Sequence, residues 1–135
     1  MKRVIYKLVL VSTHTAMLGT GFALGVYMLP ILTAPESPST EQVNASAEAA
    51  LFTGVFRREL EDSDLFHWGD GTLYVSATEI VLQGRIAPGP DYRLYLSPEF
   101  VATEADFEVL KPRMVQAGHV RTFENFAVEI PEGIN

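Results

Sequence analysis

The chain has 135 residues, no cysteine and a formal charge of −7, which bounds it to one small domain plus accessories and excludes a disulfide framework, a zinc–thiolate site and a thiol nucleophile within these residues. The charge is divided: Lys2, Arg3 and Lys7 are the only charged residues before Glu36, whereas the remainder sets 7 basic side chains against 17 acidic ones, a net −10. Phosphate affinity rests on Lys and Arg displacing counterions, so this acidic part is expected to take no nucleic acid and to owe its charge to solubility.

From Leu8 to Leu32 run 25 residues without Asp, Glu, Lys or Arg. As a helix rising about 1.5 Å per residue the run reaches roughly 37 Å, against a hydrocarbon core of about 30 Å. Residues 1–32 are therefore predicted to be an N-terminal transmembrane helix partnered by the lipid bilayer. A cleaved signal peptide has a shorter apolar region with a small-x-small site just after it. Leu32 and Pro35 fit such a site poorly and Ala45-Ser46-Ala47 lies too far downstream, so a retained anchor is the expectation. Lys2, Arg3 and Lys7 precede the span and no base follows until Arg57, which leaves the N-terminus cytoplasmic and the domain periplasmic or extracellular. Gly21 and Gly25, with Gly19 nearby, have the small-xxx-small spacing that permits close helix approach, although glycine is common in membrane helices. His14, among Ser12, Thr13 and Thr15 and two turns from Lys7, reads as an interfacial histidine.

Residues 33–50 are rich in Pro, Ser, Thr, Glu and Ala. Pro35 and Pro38 stop the preceding helix, and the scarcity of large apolar side chains predicts a flexible linker that stands the domain off the bilayer. Within it, residues 41–50 could form a short Ala/Glu helix.

Residues 51–135 read as an all-β domain, a small antiparallel sandwich or barrel. Leu51–Phe56 is a strand candidate, followed by the polar break Asp62-Ser63-Asp64. A second strand carries Leu73 and Val75 and is opened by Gly71, and a third covers Glu79–Gln83. Ala87-Pro88-Gly89-Pro90-Asp91 is a turn. Tyr92, Leu94 and Leu96 then alternate with Arg93, Tyr95 and Ser97 as a half-buried strand. Glu104–Leu110 suggests a short helical turn, and Val120–Ile130 one or two strands broken near Asn125. Pro131-Glu132-Gly133-Ile134-Asn135 reads as a turn leading onward, so the domain is expected to be C-terminally incomplete.

The stretch Gly89-Pro90-Asp91-Tyr92-Arg93-Leu94-Tyr95-Leu96-Ser97 resembles the central pattern of the DM-thirteen domain, a family labelled electron transfer. His67 and Gly71 before Leu73-Tyr74-Val75, the opening Leu51–Phe56, and Gly118-His119-Val120 through Ile130–Gly133 are similar to other parts of that pattern. The resemblance covers nearly all of residues 51–135 and none of the first 50. It implies an accessory role in extracytoplasmic electron transfer or redox modification, with a redox or envelope protein partner. It also implies a cysteine near the C-terminus that acts as a thiol or holds a group such as haem. No cysteine is present, and the matching segment would lie beyond Asn135. The pattern also has a purely structural reading: Pro90 fixes its own φ and biases Gly89 towards extended geometry, and Asp91 can close the turn through nearby backbone amides.

Candidate ligands are few. His67, His119 and Met114 are the possible axial ligands for haem, but no Cys-x-x-Cys-His motif exists and three scattered residues do not support that cofactor. His67 beside Trp68 also reads as a turn histidine. Asp62, Asp64 and Asp70, with Glu61, gather before Gly71 as calcium ligands do. Phe66 at the third ligand position breaks the EF-hand pattern, and a solvated acidic loop is the better reading of the cluster. No nucleophile elbow or metalloprotease motif is present. The alternative to the redox reading is a non-catalytic β module that binds an envelope protein or glycan.

Overall fold

A computed structural model describes residues 1–131 of the chain; the turn expected at Pro131–Asn135 falls almost wholly outside the described residues. Helix α1 (Lys2–Thr33) is a single helix of 32 residues, long and apolar enough to cross a membrane or to serve as a signal sequence. Every side chain in it is exposed except Pro30, which is half-buried. Its one histidine is accommodated locally: the His14 Nδ1–H donates to the Leu10 carbonyl at 2.7 Å, pairing a ring nitrogen that the apolar run could not otherwise satisfy.

The rest of the chain is mixed rather than all-β. Six antiparallel strands are joined by two short helices, α2 (Thr40–Glu48) and α3 (Glu104–Leu110). The strands are β1 (Phe52–Phe56), β2 (Gly69–Val75), β3 (Glu79–Ile86), β4 (Tyr92–Leu96), β5 (Val115–Val120) and β6 (Phe126–Glu129). They form a four-stranded sheet in the order β1-β2-β3-β6 and a two-stranded sheet, β4-β5, with a register irregularity between Leu94 and Tyr95. Alternation along β4 is as expected. β3 continues three residues past Gln83, through Gly84. β5 begins at Val115 and ends where a strand was expected to start, because Gln116, Gly118 and His119 break its apolar period.

The two sheets share one core. Ile80 and Leu82 of β3, Ala117 and Val120 of β5, and Phe126 and Val128 of β6 are buried together, with Phe56, Leu73, Tyr92 and Leu94 packed around them. β3 reads as a continuous apolar run, Ile80-Val81-Leu82, because both of its faces are covered. Side chains alternate across a strand, so Val81 points away from the core that Ile80 and Leu82 enter. Helix α2 packs on β2 and β3, and its Val43, like Val81, is only 1% exposed.

The second half of the expected tether is thus an element of the folded unit. Ser39 and Gln42 form a capping box, with the Ser39 N–H donating to Gln42 Oε1 at 2.8 Å and the Gln42 N–H to Ser39 Oγ at 3.3 Å. Such a box satisfies two of the helix's free amides reciprocally. The buried Ser46 hydroxyl donates to Glu79 Oε1 on β3 at 2.6 Å. Asn125 ties down the stretch before α2: its amide donates to the Pro38 carbonyl at 3.3 Å while its oxygen accepts from the Gly84 N–H at 3.1 Å.

Gly71 does not open β2 but lies inside it, paired with Gly84 of β3. Its φ of +143° belongs to a region that favours glycine, and a Cβ there would strike the Gly84 Cα at 2.6 Å.

Val43→Ala is expected to cost about 1–3 kcal/mol of unfolding free energy, since it empties a fully buried site. Urea unfolding of the full chain checks this. An unchanged midpoint would mean that α2 is not part of the folded unit.

Candidate functional site

The residues with chemistry gather at the end of the domain next to the C-terminal end of α1, on two turns. The first carries the Gly-Pro-Asp sequence. Ala87 is buried and donates its N–H to the Trp68 carbonyl at 2.9 Å, which holds this turn to the β1–β2 loop. The Tyr92 ring lies so close over Gly89 that a Cβ there would sit 2.7 Å from its Cζ, so the glycine is what lets the ring fold back. Asp91 faces two basic side chains. Arg93 Nη2 donates to its Oδ2 at 3.1 Å, and His119 Nδ1 lies 3.3 Å from its Oδ1. Arg93 and His119 are direct partners across the β4–β5 pair, which is why one carboxylate reaches both. The hydrogen bond and charge of Arg93, then the contact with His119, hold the Asp91 carboxyl below its ordinary 3.8.

These groups line a cleft of about 330 Å³ between the two parts of the chain. Pro30, Thr33, Ala34 and Pro35 form one wall, and Gly89, Pro90, Asp91, His119, Val120, Arg121 and Phe123 form the other.

The second turn is Asp64–His67. Asp64 Oδ1 accepts the Phe66 N–H at 2.6 Å and the His67 N–H at 2.7 Å, and both carboxylate oxygens lie 3.0 Å from His67 Nδ1. The Asp64 N–H donates to the His67 carbonyl at 3.0 Å. The turn is therefore closed by its own two end residues, with Leu65 and Phe66 at its tip. The His67 side-chain hydrogen bond, then the Phe66 amide, lower the Asp64 pKa from 3.8. Tyr92 lies near both turns: burial, then the charges of Asp64 and Tyr27, raise its hydroxyl above 10.0.

The other candidates from the sequence are dispersed. Asp62 accepts the Glu104 N–H at 2.6 Å and so anchors the first turn of α3. Asp70 is in β2, opposite Arg85. Met114 lies beside Arg93, Tyr95 and Phe107 in a separate surface cleft. Leu96 is paired with Val115 in the β4–β5 ladder, and Ser97 Oγ accepts the Glu99 N–H at 3.4 Å. Among the described residues no three His, Asp or Glu side chains converge on a metal position. His67 and His119 each have an aspartate that orients them, yet no serine or threonine hydroxyl is hydrogen-bonded to either ring among the described residues. The arrangement can bind through charge and hydrogen bonds but holds only two parts of an acyl-transfer triad.

The Asp91–His119 pairing spans 28 residues of sequence and gave no local signal. The Leu65-Phe66 tip had one, an apolar pair inside an acidic loop. Comparison with protein-family models, curated proteins and solved structures finds no match.

A carboxyl whose folded pKa is depressed contributes stability that is complete above its unfolded value and is lost as pH falls through the folded one. The Asp64 turn is accordingly expected to hold at pH 5 and to loosen only below 3.8. In a carbon-detected NMR titration His67→Ala should move the Asp64 midpoint up towards 3.8, the Phe66 amide retaining part of the shift. An unmoved midpoint would show that His67 does not hold the carboxylate.

Proposed function

We propose that the protein is a single-pass membrane module, with α1 as a retained anchor, its N-terminus in the cytoplasm and a β-sandwich domain on the periplasmic or extracellular side. The domain acts by binding an envelope protein or glycan rather than by catalysis. The observation that carries this reading is α1 itself: 32 residues whose apolar side chains touch almost nothing else in the chain. An apolar surface of that length must leave water, and a bilayer satisfies it along its whole circumference. Lys2, Arg3 and Lys7 at one end, against the net −10 that follows, support the orientation. The cleft supports binding, because it offers Asp91, His119 and Arg121 as charged and hydrogen-bonding groups.

The DM-thirteen resemblance favours a second reading, an accessory role in electron transfer. Gly89-Pro90-Asp91 is its support, since the three residues form part of one wall of the cleft. No cysteine lies among these 135 residues, and on this reading the partner bound at the cleft carries a redox group of its own. A partner crosslinked at the cleft should then carry a reducible thiol or haem, and a partner with neither would leave the binding reading alone.

Alkaline extraction of cell membranes followed by intact-mass analysis tests the anchor. The expected result is a membrane-retained species that still carries residues 1–32. Recovery only of a shorter, released species would mean that α1 is a cleaved signal sequence.

A further inference from the structure

The β1–β2 loop presents two of its apolar side chains outward. Leu65 is 77% and Phe66 56% exposed, whereas Leu60 of the same loop is half-buried. The turn that carries them is not loose: Asp64 binds the Phe66 and His67 amides and the His67 ring, so the polar groups of the turn face one another and the tip is left apolar. Exposed apolar side chains are common on a surface, so the pair alone does not name a contact; what lies against it does.

The position of α1 indicates what that is. The Phe66 ring meets the Tyr27 ring edge-on, with centroids 6.4 Å apart and planes at 80°, a favourable aromatic geometry. Tyr27 is not at the end of the apolar run. Leu32 lies five residues further on, about 7.5 Å along the helix axis. Phe66 therefore reaches back past the end of the apolar run, to the level of its last turn and a half. Behind the tip, the Arg58 guanidinium lies 3.9 Å over the ring of Trp68. Trp and Arg in this order behind apolar residues have the amphipathic character of side chains at the headgroup level.

We propose that the Asp64–His67 turn inserts Leu65 and Phe66 into the outer interface of the bilayer that α1 crosses, so that the domain is seated on the membrane rather than held away from it. The inference rests on the membrane-anchored reading of α1. The contact is apolar and not electrostatic: residues 57–70 hold two arginines against Glu59, Glu61, Asp62, Asp64 and Asp70. Anionic lipid, which rewards basic clusters, gives it nothing, and the occupant is the interface of a zwitterionic bilayer. The Gly-Pro-Asp cleft then opens beside the lipid surface, within reach of partners at the membrane.

Trp68 is the only tryptophan of the chain, which makes the test direct. The full-length protein is reconstituted into phosphatidylcholine vesicles with Trp68→Phe combined with Phe66→Trp, or in a second variant with Leu65→Trp. Flotation is scored first, then quenching of the new indole by phosphatidylcholine brominated near the headgroup or deep in the acyl chains. The expected result is flotation with loss of roughly half or more of the emission from shallow bromines, as for a side chain about 5–10 Å into the headgroup–acyl boundary. Deep bromines should quench less, and added phosphatidylglycerol should not increase the effect. Flotation without quenching at either position would overturn the seated turn and leave the anchor standing. Protein that fails to float would overturn the anchor and the inference together.

Discussion

The apolar surface of α1 is the constraint on which the other features depend. A helix with 25 consecutive uncharged residues cannot be left in water, and no element among the described residues packs along it. Whatever covers it therefore determines where the β domain can be. The connection is short and not slack, since Asn125 holds the Pro38 carbonyl and α2 is buried against β3. The domain consequently meets its surroundings with one end, the end that carries both the Gly-Pro-Asp turn and the Asp64 turn.

At that end the acidic side chains are largely engaged in holding backbone and neighbouring bases. Asp64 closes its turn, Asp62 accepts the Glu104 amide that opens α3, and Asp91 is held between Arg93 and His119. A carboxylate that accepts several N–H groups has little left for a cation. This is why Asp62 and Asp64, which read in sequence as part of a calcium-like cluster, serve two separate places, while Asp70 lies inside β2. All of these contacts are solvent-exposed and individually contribute little to stability; their effect is to fix the direction of loops. The stability of the domain comes instead from Ile80, Leu82, Phe126 and Val128, and from Val43 on the opposite face of β3.

How much of this was legible follows from the range of each interaction. The apolar run, the β4 alternation and α3 with its Thr103–Asp106 capping box depend on neighbours within four residues, and the chain reads clearly there. Helix α2 was half legible: its composition allowed a helix, but its only large apolar side chain, Val43, acquires meaning through the distant Val81. β5 was missed because its pattern is interrupted by Gly118, whose lack of a side chain admits Val128 from β6. Gly71 was placed at a strand end because glycine usually punctuates, whereas it serves here where two backbones approach within β2 and β3. The candidate site was the least legible part, since Asp91 and His119 are brought together only by the pairing of β4 with β5, and the Leu65-Phe66 tip gains its role from Tyr27 in α1.

The measurement that addresses the central claim most directly is single-cysteine labelling, which the absence of native cysteine makes clean. Arg3→Cys and Thr78→Cys are introduced separately into the full chain in intact cells, whose outer membrane, if there is one, has been made permeable, and exposed to a membrane-impermeant maleimide. The account predicts immediate labelling at position 78 and labelling at position 3 only after the cytoplasmic membrane is opened. Equal labelling at both positions, or labelling at position 3 alone, would contradict an anchor that crosses the bilayer with the β domain outside.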